Sequence, residues 1–107
     1  MHPELSFREH DTAAFISARL SELGIGHRPI AGTGVLAKIE GRGKADPKHR
    51  AVVLRADIDA LPIDERNDID WKSCNRGVMH ACGHDMHAAV LFGALQQLAA
   101  APDFRGT

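Results

Sequence analysis

The sequence predicts an α/β or α+β fold with a small sheet, and three observations carry that expectation. Two stretches of helical period stand near the two ends of the chain. Between them lie two short apolar runs with the marks of strands, Val35–Glu40 and Ala51–Ala56. Gly-rich turns separate these elements, and no internal repeat or low-complexity tract interrupts the order helix, strand, connector, strand, long loop, helix. That alternation suits helices packed on a small sheet.

The first helix is announced by Ser6-Phe7-Arg8-Glu9, which has the form of a capping box in which hydroxyl and carboxylate serve orphan amides. Phe7, Thr12, Ala14, Phe15, Ala18, Leu20 and Leu23 then recur at roughly helical spacing, with Arg8, Glu9, Arg19 and Glu22 outward. Gly24 and Gly26 supply the backbone freedom that ends it.

Gly32-Thr33-Gly34 punctuates the chain before Val35–Glu40, a partly alternating strand. Gly41–Lys48 reads as an exposed, basic, Gly-rich hairpin loop; its spacing matches no P-loop and no Gly-Lys-Ser/Thr follows. Ala51-Val52-Val53-Leu54-Arg55-Ala56 is a continuous apolar run ended by charge, the form of a strand buried on both faces. It delivers Asp57-Ile58-Asp59 at its C-terminal end, where open α/β sheets place their ligand sites. In extended backbone Asp57 and Asp59 point to one side; the alternative is a pair of solvated loop aspartates.

Asp64 through Asp70 reads as a solvated loop, Trp71 as the anchor that ties it to the core, and Cys74 as a small buried or partly exposed thiol. In the last helix Met86, Val90, Leu91, Ala94, Leu95 and Leu98 recur at three- and four-residue intervals, with alanines adding helix propensity. Asp85 suits the first turn of that helix, which reads as buried, and Pro102 marks its end.

Composition narrows the function. The 107 residues, 44% hydrophobic and 25% charged, make one ordinary globular domain at most. A net charge of −1, with no Tyr, one Trp and four Phe, removes the case for nucleic acid or an acidic membrane as partner. The N-terminus lacks the basic and apolar regions of a secretory signal, and no apolar run approaches the roughly 18 residues of a membrane span. Two cysteines make no disulfide framework, so a reducing cytoplasm is the expected location.

The chemistry concentrates in Gly77–His87, which holds three of the seven histidines and one of the two cysteines. Thiolate and imidazole hold borderline-soft metals such as zinc. Cys82-Gly83-His84 is compact enough for one ion to take both side chains, and helical spacing lets His84 and His87, or His80 and His84, share a face. A closed site from Cys74, His80, Cys82 and His84 is structural; an open one completed from elsewhere is catalytic. The carboxylates at the strand end favour the second, because metal-bound histidines usually donate their other N–H to a carboxylate.

Three motifs stand in order: His2-Pro3-Glu4-Leu5-Ser6-Phe7, Leu54-Arg55-Ala56-Asp57-Ile58-Asp59-Ala60-Leu61-Pro62-Ile63, and Gly77-Val78-Met79-His80-Ala81-Cys82-Gly83-His84-Asp85-Met86-His87. Together they resemble the N-terminal part of the aminoacylase/carboxypeptidase-type metallohydrolases, in the branch of hippurate hydrolase, N-acyl-L-amino-acid amidohydrolases and auxin-conjugate hydrolases. The resemblance implies the N-terminal portion of a zinc-exopeptidase-like three-layer α/β/α catalytic domain. It matches Cys82 and His84 to the first two ligands of a site for one or two divalent ions (Mn, Zn, Co or Ni). Asp59 matches the aspartate that supports a ligand, Asp57 stands beside it, and Asp85, His87 and His80 take outer roles. The implied reaction is hydrolysis of a small N-acylated amino acid by metal-dependent water activation, with a glutamate as general base.

In that family a Glu-Glu pair with the base and a further ligand comes next, and two ligand histidines follow; none of Glu4, Glu9, Glu22, Glu40 or Glu65 lies in a matching motif. The expectation is therefore a partial catalytic domain over residues 1–107, truncated at both ends, without the lid or dimerisation domain of a homodimeric full-length enzyme, and inactive alone. The competing expectations are a non-catalytic remnant and a small structural Cys/His metal module.

Overall fold

An extended strap, residues 1–6, leads through a turn at Phe7 into helix α1 (His10–Glu22). The computed structural model describes residues 1–44 and 51–107. The expected capping box does not form, because both of its members are engaged elsewhere. Glu9 is buried and accepts a 2.6 Å hydrogen bond from the Thr33 hydroxyl, while Ser6 donates to Asp59. Glu4 caps the helix instead: its carboxylate accepts the amides of Asp11 at 3.1 Å and Thr12 at 2.7 Å, and the Thr12 hydroxyl at 2.6 Å. A negative charge there also meets the positive end of the helix dipole.

The helix ends as Gly24 leads one to expect. Gly24 turns left-handed (φ 67°), its amide bonds to the Ser21 carbonyl at 2.9 Å, and the Ile25 amide bonds to that of Leu20 at 2.9 Å. This pair of bonds is a Schellman motif, whose accompanying apolar contact is between the residues at the Leu20 and Ile25 positions. Both are buried, and with Ala60 they form the apolar core of the described residues.

Strands β1 (His27–Ile30) and β2 (Gly34–Ala37) pair antiparallel, His27 opposite Ala37 and Ile30 opposite Gly34. β1 escaped the sequence reading because it is polar and holds Pro29, which a two-stranded sheet tolerates on its free edge. Gly34 is required at the turn: a Cβ there would lie 2.8 Å from the Ile30 carbonyl oxygen.

Three expectations about burial fail. Val52, Val53 and Leu54 are 73%, 82% and 56% exposed and form no ladder, so the run is extended chain rather than a buried strand. An apolar run becomes a strand only where neighbours supply its hydrogen bonds along its length; here the Val52 amide meets the Thr107 carbonyl at 2.9 Å, but no ladder forms. Trp71, 67% exposed, does not anchor its loop. Helix α2 (His84–Ala100) forms as its period predicts and stops before Pro102, yet none of its residues is buried.

The basic connector also differs. Its described part packs along the C-terminal segment, with the Gly41 amide on the Gly106 carbonyl at 2.8 Å and the Gly43 amide on that of Phe104 at 3.0 Å. A Cβ on Gly41 would fall 2.1 Å from the Phe104 oxygen, so this glycine serves close backbone approach. Ala45 to Lys48 of the expected loop lie outside the described residues.

Two short pairings position the functional segment. Leu5 bridges Ala60 in parallel, with the Ala60 amide on the Glu4 carbonyl at 2.7 Å. Leu61 bridges Met79 antiparallel, through bonds of 2.9 and 3.1 Å. Asp57–Leu61 is thus stitched between the strap and the approach to α2. No helix among the described residues is long and apolar enough to cross a membrane.

Candidate metal centre

His84 opens α2, one residue after Gly83, whose left-handed backbone (φ 87°) turns the chain into the helix. Its ring Nδ1 lies 2.8 Å from Asp59 Oδ1 and 3.0 Å from the Asp59 carbonyl oxygen. Both neighbours are pure acceptors, so Nδ1 carries the proton and donates. The lone pair of the neutral ring is then on Nε2, the arrangement in which a histidine is held ready for a metal by a carboxylate behind it.

Asp59 Oδ2 is engaged as well, accepting from the Ser6 hydroxyl. That bond is the chief reason the Asp59 carboxyl is held below its usual range; burial opposes it and the His84 bond adds to it. For His84, burial acts to lower the imidazole pKa, but bonds to the Asp59 side chain and carbonyl outweigh it. With the charges of Asp59 and Asp57, the net shift is upward. The Asp57 carboxylate itself is paired with the Arg55 guanidinium.

Cys82 is an exposed free thiol, separated from His84 by Gly83 alone. His87 is exposed one turn along α2, its amide bonded to the Gly83 carbonyl at 3.0 Å. Asp85 is exposed in the first turn. His80 precedes the helix and so does not share a helical face with His84, contrary to one expectation; its Nδ1 is buried without a partner. Among the described residues no three of His, Cys, Asp or Glu converge as a metal would require. The closed Cys74–His80–Cys82–His84 module is thus not assembled, because α2 starts at His84 and leaves His80 and Cys82 on non-helical backbone.

Two cavities lie near. One of about 640 Å³ runs between the helices past Phe15, Ile16, Ala88 and Phe92. The other, about 230 Å³, is lined by Pro3, Trp71 and Met79. His80 and Asp85 line both, and neither Cys82 nor His84 lines either.

Residues 53–107 match the model of Peptidase family M20/M25/M40. The chain belongs to that family. Among relatives of this M20/M25/M40 chain, N-acetyl-L-cysteine deacetylase of Bacillus subtilis (strain 168) is 51% identical over 94 residues, covering 87% of this chain and 22% of the relative. Thermostable carboxypeptidase 2 of Saccharolobus solfataricus is 42% identical over 92 residues, covering 86% and 23%. The Bacillus subtilis YXEP protein, a dinuclear metal binding peptidase from the M20 family, superposes with a TM-score of 0.81 at 40% identity, over 95% of this chain and 28% of that one. A chain from methicillin resistant Staphylococcus aureus gives 0.84 at 38% identity, over 99% and 28%. The M20/M25/M40 chain described here thus spans about a quarter of the length of these relatives. The similarity bears out the metallohydrolase resemblance and the α/β class.

The strap's contribution was missed at the level of roles. Pro3-Glu4-Leu5-Ser6 carries part of the family resemblance, but only the structure shows Glu4 capping α1 and Ser6 reaching Asp59 across 53 positions. A local capping signal gave the competing, incorrect assignment for Ser6.

Proposed function

We propose that Cys82 and His84 are the first two ligands of a divalent-metal site in an M20/M25/M40 amidohydrolase acting on N-acyl amino acids or related amides. The observation that carries this reading is the Asp59–His84 hydrogen bond, which fixes the proton on one ring nitrogen and leaves the other with a free lone pair, two positions in sequence from the free Cys82 thiol. A soft thiolate and an imidazole on either side of one glycine suit a borderline-soft ion such as Zn, and the family resemblance extends the choice to Mn, Co or Ni, in one or two ions. When bound, such an ion supplies Lewis acidity and makes water acidic enough to act as a nucleophile near neutral pH. Asp59 holds the ring in its ligating tautomer, and Asp57 adds negative charge behind it. Asp85, His87 and His80 take outer positions around this pair.

The same 107 residues contain no glutamate poised as general base. Glu4, Glu9, Glu22, Glu40 and Glu65 bond respectively to Thr12, Thr33, Arg19, Lys38 and Ser73. These residues alone are therefore inactive; the base, further ligands and most of the substrate pocket belong to a complete catalytic domain, cytoplasmic and homodimeric in this reading.

The test is a chimaera in which this chain replaces the matching segment of the Bacillus subtilis deacetylase. Turnover of N-acetyl amino acids that is lost with Cys82→Ser or a chelator supports the proposal, with negligible turnover by the isolated chain. A folded chimaera whose activity survives Cys82→Ser contradicts it.

A further inference from the structure

The strap meets the candidate metal centre at one side chain. Ser6 is the only strap residue whose side chain bonds to Asp59, and it takes the carboxylate oxygen that His84 leaves free. Two independent features put it there. The Leu5–Ala60 bridge and the Ala60-to-Glu4 amide bond fix the register between strap and functional segment. The next residue, Phe7, adopts φ 63°, a left-handed conformation that a bulky residue rarely takes. Phe7 is 86% exposed, so no burial of its own ring explains that conformation. Departures of this kind persist where surrounding structure over-determines them.

We infer that Ser6 is a positioning residue for the metal site: its hydroxyl locks the rotation of the Asp59 carboxylate, and through it the His84 ring. This rests on the reading of His84 as a ligand. The carboxylate can accept at both oxygens, so a donor on Oδ2 leaves Oδ1 and Nδ1 aligned at 2.8 Å without weakening that bond's role. Without the donor, Asp59 swings about its χ2 axis, a broad two-fold torsion, and the imidazole loses its fixed direction. Because Glu4 of the same strap caps α1, the strap ties the start of the first helix to the ligand that starts the second.

The experiment is cobalt(II) titration of the 107-residue chain in a Cys74→Ala background, followed by the thiolate-to-cobalt absorption, with Ser6→Ala, Ser6→Thr and Thr33→Val as variants. Groups that orient metal-bound histidines contribute 10- to 100-fold in affinity, so Ser6→Ala is expected to raise Kd on the order of 10-fold. Ser6→Thr keeps the hydroxyl and is expected to restore affinity to within about 2-fold of the parent. Thr33→Val removes a hydrogen bond from the same half of the chain, to Glu9, and is expected to lower thermal stability without changing Kd. Equal loss of affinity in Ser6→Ala and Thr33→Val, or unchanged affinity in Ser6→Ala, overturns the positioning role while leaving the ligand reading intact. Absence of a Cys82-dependent absorption in the parent overturns the ligand reading and this inference with it. Should Ser6→Ala fail to fold, Ser6→Gly removes the same hydroxyl without adding a thiol: reduced affinity supports the inference and parental affinity overturns it.

Discussion

The Nδ1 of His84 and Oδ1 of Asp59 stand 2.8 Å apart although 25 positions separate them in sequence. Both side chains are 21% exposed, so the pair is partly shielded from solvent while its open face stays accessible. Everything proposed for this chain depends on that contact. Replacing Asp59 with Ala is expected to weaken divalent-metal binding by 10- to 100-fold, the range found for partners of metal-bound histidines. Isothermal titration with zinc measures it; equal affinity in the variant would show that His84 needs no such support.

Glu4 gives the pH dependence. Burial works to raise its pKa, but the bonds from the Thr12 hydroxyl and the Thr12 and Asp11 amides outweigh it, leaving the folded value below the usual 4.5. A carboxylate with a depressed folded pKa contributes stability that is present above about 4.5 and lost as pH falls through the folded value. Glu4→Gln is expected to cost about 1 kcal/mol at neutral pH, in the range of helix caps, and to flatten the acid side of the stability curve. Urea unfolding at pH 7, 5 and 3 reads both; an unchanged slope of stability against pH would refute the capping role.

At Phe7 the backbone conformation, not the ring, sets the tolerance. Phe7→Gly relieves roughly 1 kcal/mol of left-handed strain and adds a similar entropic cost in the unfolded chain, so it is expected to be nearly neutral. Phe7→Val, β-branched, is expected to destabilise by about 1–2 kcal/mol. The order of the two midpoints in thermal unfolding decides the matter, and Val more stable than Gly would exclude a left-handed Phe7.

The Val52–Leu54 run belongs to no ladder and exposes its apolar side chains, a combination that favours association edge to edge. Val53→Lys is expected to shift unfolding free energy by no more than about 0.5 kcal/mol while reducing self-association at high concentration. Light scattering of the two proteins compares them; identical scattering would place association elsewhere.

Local signals in the sequence specify the helices better than they specify burial. Helix periods, the Gly24 stop and Pro102 are local, and α1 and α2 formed close to where those signals put them. Burial is not local. Val52–Leu54 and α2 carry the apolar patterns of buried elements, but burial requires covering surfaces that the described residues do not provide. A radius of gyration of 16.1 Å, against roughly 13 Å for a compact chain of this length, expresses the same shortage of covering mass. In the candidate centre, the motifs single out Asp59, Cys82 and His84, and the structure brings Asp59 and His84 into contact, whereas the contacts of Glu4 and Ser6 lie beyond any spacing rule. His80 was misplaced for a simpler reason: α2 begins four residues later, so the helical spacing invoked for it does not apply.

The central claim, that Cys82 and His84 act together as metal ligands, is tested most directly by cobalt(II) absorption of the Cys74→Ala chain beside its Cys82→Ser and His84→Ala variants. The expected result is a thiolate-to-cobalt band that saturates in the parent, disappears with Cys82→Ser, and weakens sharply with His84→Ala. A band absent from the parent, or one that survives the loss of either side chain undiminished, would contradict it.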